Sequence, residues 1–344
     1  MNTEVPENAS ITHGADAPKQ TSILNFEFRG DGMEYFKIWI VNILLTIVTL
    51  GIYSAWATVR NNRYFYSNLY LENTNFRYLA DPITILKGRI IAIVAFIAYY
   101  VASIYAPIFG VMIAIALVFA IPYFVNQSVA FTNRMSAYKN IQFRFKGSYG
   151  EAFMVIYIWP LLGVLTLGIL YPLAILKANE YFVRNSAYGT TQFDFKATYK
   201  DYGMIFLTMI GIALAIGIPM GLLTYLVPAF AMISPFVIFA VYFGLFVYFM
   251  VSMTNVFYAS LSLVEHKFDA KLTVTGQTKV ILINLFFTII TLGLYLPAAK
   301  VRMTKYICSC ITMHAQGSLD TFTAAEKENI SALGEEMGQV FDFA

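Results

Sequence analysis

Charge is absent from five stretches of this 344-residue chain: Ile38–Thr58, Ile90–Asn133, Ala152–Leu176, Tyr202–Val264 and Val280–Ala299. A bilayer core takes about 20 apolar residues per helix. The shorter stretches therefore predict one span or one re-entrant loop each, and the two long ones at least two spans each. Between them the pattern changes period. Asn25-Phe26-Glu27-Phe28, Asn75-Phe76-Arg77-Tyr78, Gln142-Phe143-Arg144-Phe145 and Gln192-Phe193-Asp194-Phe195 alternate polar with aromatic residues, as a short half-buried strand outside the membrane does. The expected fold is an all-α polytopic membrane protein built from internal repeats, with short β-strands in its extramembrane connectors.

The repeat is read from a recurring phrase. Thr49-Leu50-Gly51-Ile52, Thr166-Leu167-Gly168-Ile169 and Thr291-Leu292-Gly293-Leu294 each interrupt an apolar stretch, and a basic, aromatic, helix-like run follows each. Phe26 maps to Phe143, Gly51 to Gly168, Asn68 to Asn185 and Phe76 to Phe193 at one offset of 117 positions. A constant offset across strand-like and helical pieces implies duplication. A partial third copy runs from Asn284 to Lys305. The chain therefore divides into a disordered N-terminal tail (1–22), two repeat units (23–140 and 141–265), a partial third unit (266–315) and an amphipathic C-terminal tail (316–344).

Six residues past each second aromatic come Glu34, Glu151 and Asp201, just ahead of long apolar runs. A carboxylate there suits the free N–H groups and dipole of a helix N-terminus better than catalysis. The polar first 33 residues lack the basic start and compact apolar segment of a cleavable signal, so the first apolar run is expected to be retained.

Topology turns on the three Thr-Leu-Gly runs. If each crosses, ten basic residues fall on one side and thirteen on the other, which is almost no positive-inside bias. If each dips in and returns at Gly51, Gly168 and Gly293, all 23 basic residues share one compartment, and both termini are cytoplasmic. The charge distribution favours re-entry over crossing; a rival, a single helix from Met33 to about Tyr70 kinked at Gly51 with its basic half along the interface, fits the repeat pattern too.

Composition agrees with a membrane class: 58% hydrophobic, 17% aromatic and 12% charged, against roughly 25% charged in soluble domains. The net charge of +3 gives no reason to expect nucleic acid. Cys308 and Cys310 are too close for an ordinary disulfide, and His13, His266 and His314 form no metal motif. No phosphate loop, His-Glu-x-x-His or Gly-x-Ser-x-Gly is present, so neither an enzyme nor a cofactor is expected.

The candidate chemistry lies after each glycine. Arg60 and Arg63, Lys177, and Arg302 and Lys305 are candidate contacts for an anion or a lipid headgroup, set against plain snorkelling at the headgroup level. Asn42, Asn284, Thr49 and Thr291 are candidate intramembrane polar residues, with helix–helix hydrogen bonding as the ordinary role of the asparagines.

Phe26-Glu27-Phe28-Arg29-Gly30, Thr49-Leu50-Gly51-Ile52-Tyr53-Ser54-Ala55-Trp56-Ala57 and Arg63-Tyr64-Phe65, repeated down the chain, resemble the YjgN family of bacterial inner-membrane proteins, a domain of unknown function. The likeness spans about 22–315. In the second unit Leu173 stands for Trp56 and Glu180 for Arg63. The resemblance implies a multi-pass inner-membrane location and carries no active site. Two functions are open: passage or handling of a small solute or lipid through a repeat-built, re-entrant core, or a non-transporting scaffold that docks a protein partner. Membrane lipids are the expected partners, and a homo-oligomer is compatible with the sequence.

Overall fold

The computed structural model describes residues 21–320 and 322–330. The disordered tail expected at 1–22 falls outside the described residues except for Thr21 and Ser22, which begin a strand, and so does the C-terminal tail beyond Ile330. In chain order the elements are β1 (Thr21–Phe28), α1 (Gly32–Val48), α2 (Ser54–Ser67), β2 (Leu69–Leu71), β3 (Thr74–Tyr78), α3 (Pro82–Tyr105), α4 (Pro107–Arg134), β4 (Ser136–Tyr138) and β5 (Ile141–Phe145). Next come α5 (Tyr149–Phe153), a π-helical turn (Met154–Ile158), α6 (Trp159–Leu165), α7 (Tyr171–Arg184), β6 (Ser186–Tyr188), β7 (Thr191–Phe195), α8 (Tyr199–Leu226) and α9 (Ser234–Ala259). The series closes with β8 (Leu261–Leu263), β9 (His266–Ala270), α10 (Val274–Ile290), α11 (Leu296–Cys310) and β10 (Ile311–Gln316).

The all-α expectation is overturned. Ten strands form one closed antiparallel barrel in the order β1-β10-β9-β8-β7-β6-β5-β4-β3-β2. Four of them, β2, β4, β6 and β8, are three residues long, too short for an alternating pattern to register in the sequence. Closure also joins β1 to β10 from opposite ends of the chain, in register from Thr21↔Gln316 to Asn25↔Thr312. The barrel draws strands from all three expected units.

The connections alternate. From each odd strand to the next even strand the chain makes a helical hairpin; from even to odd it makes a two-residue turn. Positive φ at Glu72 (53°), Lys139 (46°), Asn140 (67°), Gly189 (64°) and Val264 (55°) marks these turns, whose left-handed backbone matches the twist of paired strands. All four tight turns therefore lie at one end of the barrel, and five helical hairpins rise from the other. Three hairpins are short (α1/α2, α5–α6/α7, α10/α11) and alternate with two long ones (α3/α4, α8/α9).

Helix starts follow local polar chemistry, one step away from the sequence reading. Asp31 Oδ1 accepts from Met33 N (2.8 Å) and Glu34 N (3.1 Å), and Ser148 Oγ accepts from Glu151 N (3.2 Å). The caps are thus Asp31 and Ser148, three positions before the expected carboxylates. Asp201 does take part, as the reciprocal half of a capping box with Thr198. Glu34 instead accepts from the Tyr64 hydroxyl at 3.3 Å. The π-helical turn precedes Pro160, whose missing N–H relaxes the helical ladder.

Each short hairpin reverses at its Thr-Leu-Gly phrase by the same bonds. Gly51 N donates to Thr46 O, Gly168 N to Gly163 O and Gly293 N to Thr288 O, all at 2.8 Å, a Schellman-type closure. Leu50, Leu167 and Leu292 are left-handed (φ 49–53°), and the following glycines sit at φ 92–94°. The pairing of Phe26 with Leu71 returns the first hairpin to its starting point, so the chain reverses there and does not run on as one kinked helix. Nothing lies within 4 Å of a Cβ built on Gly51 or Gly168, which makes backbone conformation the sole obstacle to a side chain. Gly51→Ala and Gly168→Ala are each expected to cost about 1–3 kcal/mol, read as a lowered unfolding midpoint in detergent. The helical Gly88→Ala, equally open, is expected to be neutral or stabilising by up to about 1 kcal/mol.

Candidate functional site

Alternation along the odd strands turns one phenylalanine from each into the barrel: Phe26, Phe76, Phe143, Phe193 and Phe268 pack on the same cluster. The intervening Glu27, Arg77, Arg144, Asp194 and Asp269 take the opposite, outer face. Ring centroids lie 6.4 Å apart for Phe26–Phe76 and for Phe26–Phe268, and 6.3 Å apart for Phe143–Phe193. The ring of aromatics surrounds a chamber of about 260 Å³ that exposes no polar surface, completed by Leu71, Leu263 and Met313. Tyr138 and Tyr188 also line it, but their hydroxyls are spent on backbone: Tyr138 Oη donates to Leu71 O (2.9 Å) and Tyr188 Oη to Tyr138 O (3.0 Å). Burial pushes the Tyr138 hydroxyl up to about 12 and that of Tyr188 upward as well, so both stay neutral donors.

The C-terminal helical segment floors this chamber at the tight-turn end. Leu319 and Phe322 line the cavity. Glu326, 2% exposed, accepts from Thr190 N, Thr190 Oγ1 (2.6 Å) and Thr191 Oγ1 (2.8 Å). Asp320 pairs with Lys139 at 2.6 Å; the hydrogen bond from that ammonium holds the Asp320 carboxyl below its usual range. His266 Nδ1 accepts from Gln316 N (3.2 Å), and its ring meets Phe322 edge-on. The expected amphipathic tail is, over this part, a stopper.

A second cavity lies against the barrel wall. A cleft of about 660 Å³ between α2 and β3 is lined by Arg60, Arg63, Arg77, Asn75, Phe76 and Ile38 among others, with no carboxylate in its lining. Arg63 Nη2 donates to Ala80 O (3.1 Å) and Arg77 Nη1 to Asn140 Oδ1 (2.9 Å), while the exposed Arg60 has no ion pair among the described residues. The matching cleft of the second unit, about 510 Å³, holds Lys177. There Glu180 stands where Arg63 does, and it binds Lys177 (2.8 Å) and Arg184 (2.5 Å). One cleft is cationic; the other neutralises itself.

The remaining expected residues do not converge on either cavity. Arg302 lies over the Tyr295 and Phe287 rings at 5.4 and 6.0 Å, and Lys305 is exposed. Asn42 Nδ2 donates to Asn61 Oδ1 (2.9 Å) and Asn284 Nδ2 to Ala299 O (3.1 Å), each tying the two legs of its own hairpin. Thr49 and Thr291 donate to Leu45 O and Phe287 O (both 2.7 Å) and accept from Tyr53 N and Tyr295 N (2.9 and 3.0 Å). They build the reversals at Gly51 and Gly293. Among the described residues no cluster of three His, Cys, Asp or Glu is placed to hold a metal, and both cysteines are free.

Several working residues escaped the sequence reading. Phe268 lacks the amide before it and has Ala270 where the second aromatic stands. Tyr64, Tyr181 and Tyr306 latch each short hairpin to the barrel end, the first by donating to Asp31 O and accepting from Asp31 N, both 2.7 Å; Tyr181 donates to Asn126 Oδ1 (2.6 Å) and Tyr306 to Thr273 O (3.2 Å). Their common signal was the Tyr in each post-glycine run. Arg89 on α3 donates to Ser54 Oγ and to Thr58 Oγ1 (2.8 Å) on α2, and no repeat pattern marks it.

A family model described as bacterial protein of unknown function (DUF898) matches residues 23–340. The chain belongs to this family. Among curated proteins it is 35% identical over 141 residues to the inner membrane protein YjgN of Salmonella typhimurium, covering 39% of this chain and 34% of that one. To its namesake in Escherichia coli K12 it is 27% identical over 169 residues, 47% of this chain and 40% of the other. The matched stretches thus span less than half the length of these YjgN relatives. No solved structure matches. Among the described residues four helices, α3, α4, α8 and α9, are long and apolar enough to cross a membrane.

The docking of the C-terminal segment rests on one buried carboxylate. Glu326→Ala is expected to cost about 2–3 kcal/mol of its attachment. Hydrogen exchange should then quicken across 322–330 while protection in β4–β7 is unchanged.

Proposed function

We propose that this YjgN-family chain is a multi-pass inner-membrane protein that handles an anionic membrane lipid or small anionic solute at the Arg60–Arg63–Arg77 cleft, without catalysis. Helices of 24–28 residues reach about 36–42 Å at 1.5 Å per residue, enough for a hydrocarbon core of about 30 Å. The short hairpins rise less: the 17 residues of α1 and of α10 give about 25 Å. Leu50, Leu167 and Leu292 at their tips are 94–96% exposed, a poor arrangement in water and a favourable one within lipid. The three tips then re-enter, the barrel lies on the cytoplasmic face, and both termini share that face with the basic residues.

A single observation carries the functional reading: the cleft gathers three guanidinium groups with no carboxylate in its lining, where the corresponding cleft carries its own acid. Guanidinium pairs suit phosphate and carboxylate oxygens. The scaffold alternative would dock a partner through the strands or the C-terminal helix, and of that C-terminal segment Leu319, Phe322 and Glu326 turn toward the barrel floor.

Arg60→Gln with Arg63→Gln is expected to lower copurifying anionic lipid about tenfold, the scale of one or two lost charge-assisted hydrogen bonds. Lys177→Gln, whose cation is already paired, should leave the lipid content near wild type. Equal losses in both variants, or no loss in either, contradict the reading.

A further inference from the structure

The basic cleft and the apolar chamber share a wall. Phe76 is among the lining residues of both, so the β3 wall at this one residue separates a cationic recess outside the barrel from a hydrocarbon-like space within it. We infer that Phe76 gates a two-part site for an anionic single-chain amphiphile, its carboxylate or phosphate held at Arg60 and Arg63 and its hydrocarbon tail lying inside the barrel. The head half rests on the function proposed above; the tail half stands on the chamber alone.

The chamber selects its occupant by what it lacks. Bound water needs two to four polar partners, and a space with no polar surface offers none. An apolar cavity of ~150 Å³ stays dry and accepts benzene, and this one is larger at about 260 Å³. Protein interiors seldom leave voids beyond the size of a water molecule. The volume is also below the 300–1,000 Å³ typical of drug-sized pockets, which fits one hydrocarbon chain and not a whole diacyl lipid.

The way in follows from the ladder. β1 and β10 pair over five residues, whereas β2 and β3 pair only at Tyr70↔Asn75 and Leu71↔Thr74, as briefly as β4/β5, β6/β7 and β8/β9 do; this seam alone among the four carries a residue that lines both the chamber and the basic cleft. Beyond that point Leu69 and Phe76 are next in register with no ladder pairing between them, and Leu69 follows directly on the end of α2. Side chains pack at both ends of the barrel. Leu319 and Phe322 close the tight-turn end, with Glu326 holding them in place. At the helical end Phe28, Tyr35, Tyr64 and Val301 pack as one cluster, Tyr35 stacking on Tyr64 at 5.1 Å. Phe76 itself is only partly buried, between Phe26 (6.4 Å) and Tyr138 (4.7 Å), so a change of its rotamer opens the seam without breaking a strand pair.

The test uses the full chain in lipid nanodiscs with two photoreactive probes: a fatty acid bearing a diazirine in its tail, and phosphatidylglycerol bearing the same group in one acyl chain. Labelled positions are mapped by mass spectrometry. At least one probe is expected to label chamber-wall residues of β3, β5 or β8; the fatty acid alone identifies a free single-chain ligand, and phosphatidylglycerol identifies one tail of a membrane lipid. Leu263→Trp and, separately, Met313→Phe fill the chamber, and wall labelling should fall roughly tenfold in whichever of them keeps the wild-type unfolding midpoint, equivalent to about 1.4 kcal/mol of lost tail contact. Arg60→Gln with Arg63→Gln should weaken it as well. Wall labelling that disappears on filling yet ignores the arginine changes leaves the tail chamber standing and overturns the head assignment. Labelling confined to α3, α4, α8 and α9, unchanged by either filling variant, overturns the proposal.

Discussion

Five backbone pairings between the first described strand and the last one hold this architecture together. Without Thr21–Asn25 laid against Thr312–Gln316, the sheet would be an open ribbon of very short strands with two bare edges, the arrangement that invites misassembly. Closure removes the edges and fixes the positions of everything attached. Because every odd-to-even connection leaves from the same end, the barrel sets five helical hairpins in a ring. The same closure brings five phenylalanines, contributed by every part of the chain, around one chamber.

Local chemistry was readable where it had room to repeat. The Phe-x-Phe alternation disclosed β1, β3, β5 and β7, and the Thr-Leu-Gly phrases marked reversals that the hydrogen bonds of Gly51, Gly168 and Gly293 now explain. What was missed follows from scale. Ser136-Ala137-Tyr138 and Ser186-Ala187-Tyr188, like β2 and β8, are too short to display a period of two, so these four strands leave no trace in the sequence and the pattern reads as helical. Phe268 lost the flanking residues that would have identified it. The Glu326 contact joins positions 136 and 135 residues away, at Thr190 and Thr191, a relation that sequence spacing does not encode.

The candidate site was half legible for a similar reason. Arg60 and Arg63 stood out because they share a helical face after a repeated glycine, but the same logic promoted Lys177, Arg302 and Lys305, and similarity of position did not mean similarity of surroundings. Glu180 turns the second cleft into an ion-pair network, and Arg302 rests over aromatic rings. Arg77 entered the cleft from a strand, not from the helical run, and Phe76 joined it to the barrel interior. The resulting division, cations outside and hydrocarbon surface inside, is a property of the folded wall.

Every later contact depends on the β1–β10 closure, and a disulfide across it is the most direct measurement. Asn25 and Thr312 are register partners, both on the outer face, and cross-strand Cα separations of about 4.5–5.5 Å lie within disulfide reach. With Cys308 and Cys310 replaced, Asn25→Cys/Thr312→Cys is expected to crosslink under mild oxidation, so that the terminal fragments stay joined after proteolysis until reduced. Arg144→Cys/Ala187→Cys, on the adjoining strands β5 and β6, serves as the control; crosslinking there with none between Asn25 and Thr312 would contradict a closed barrel.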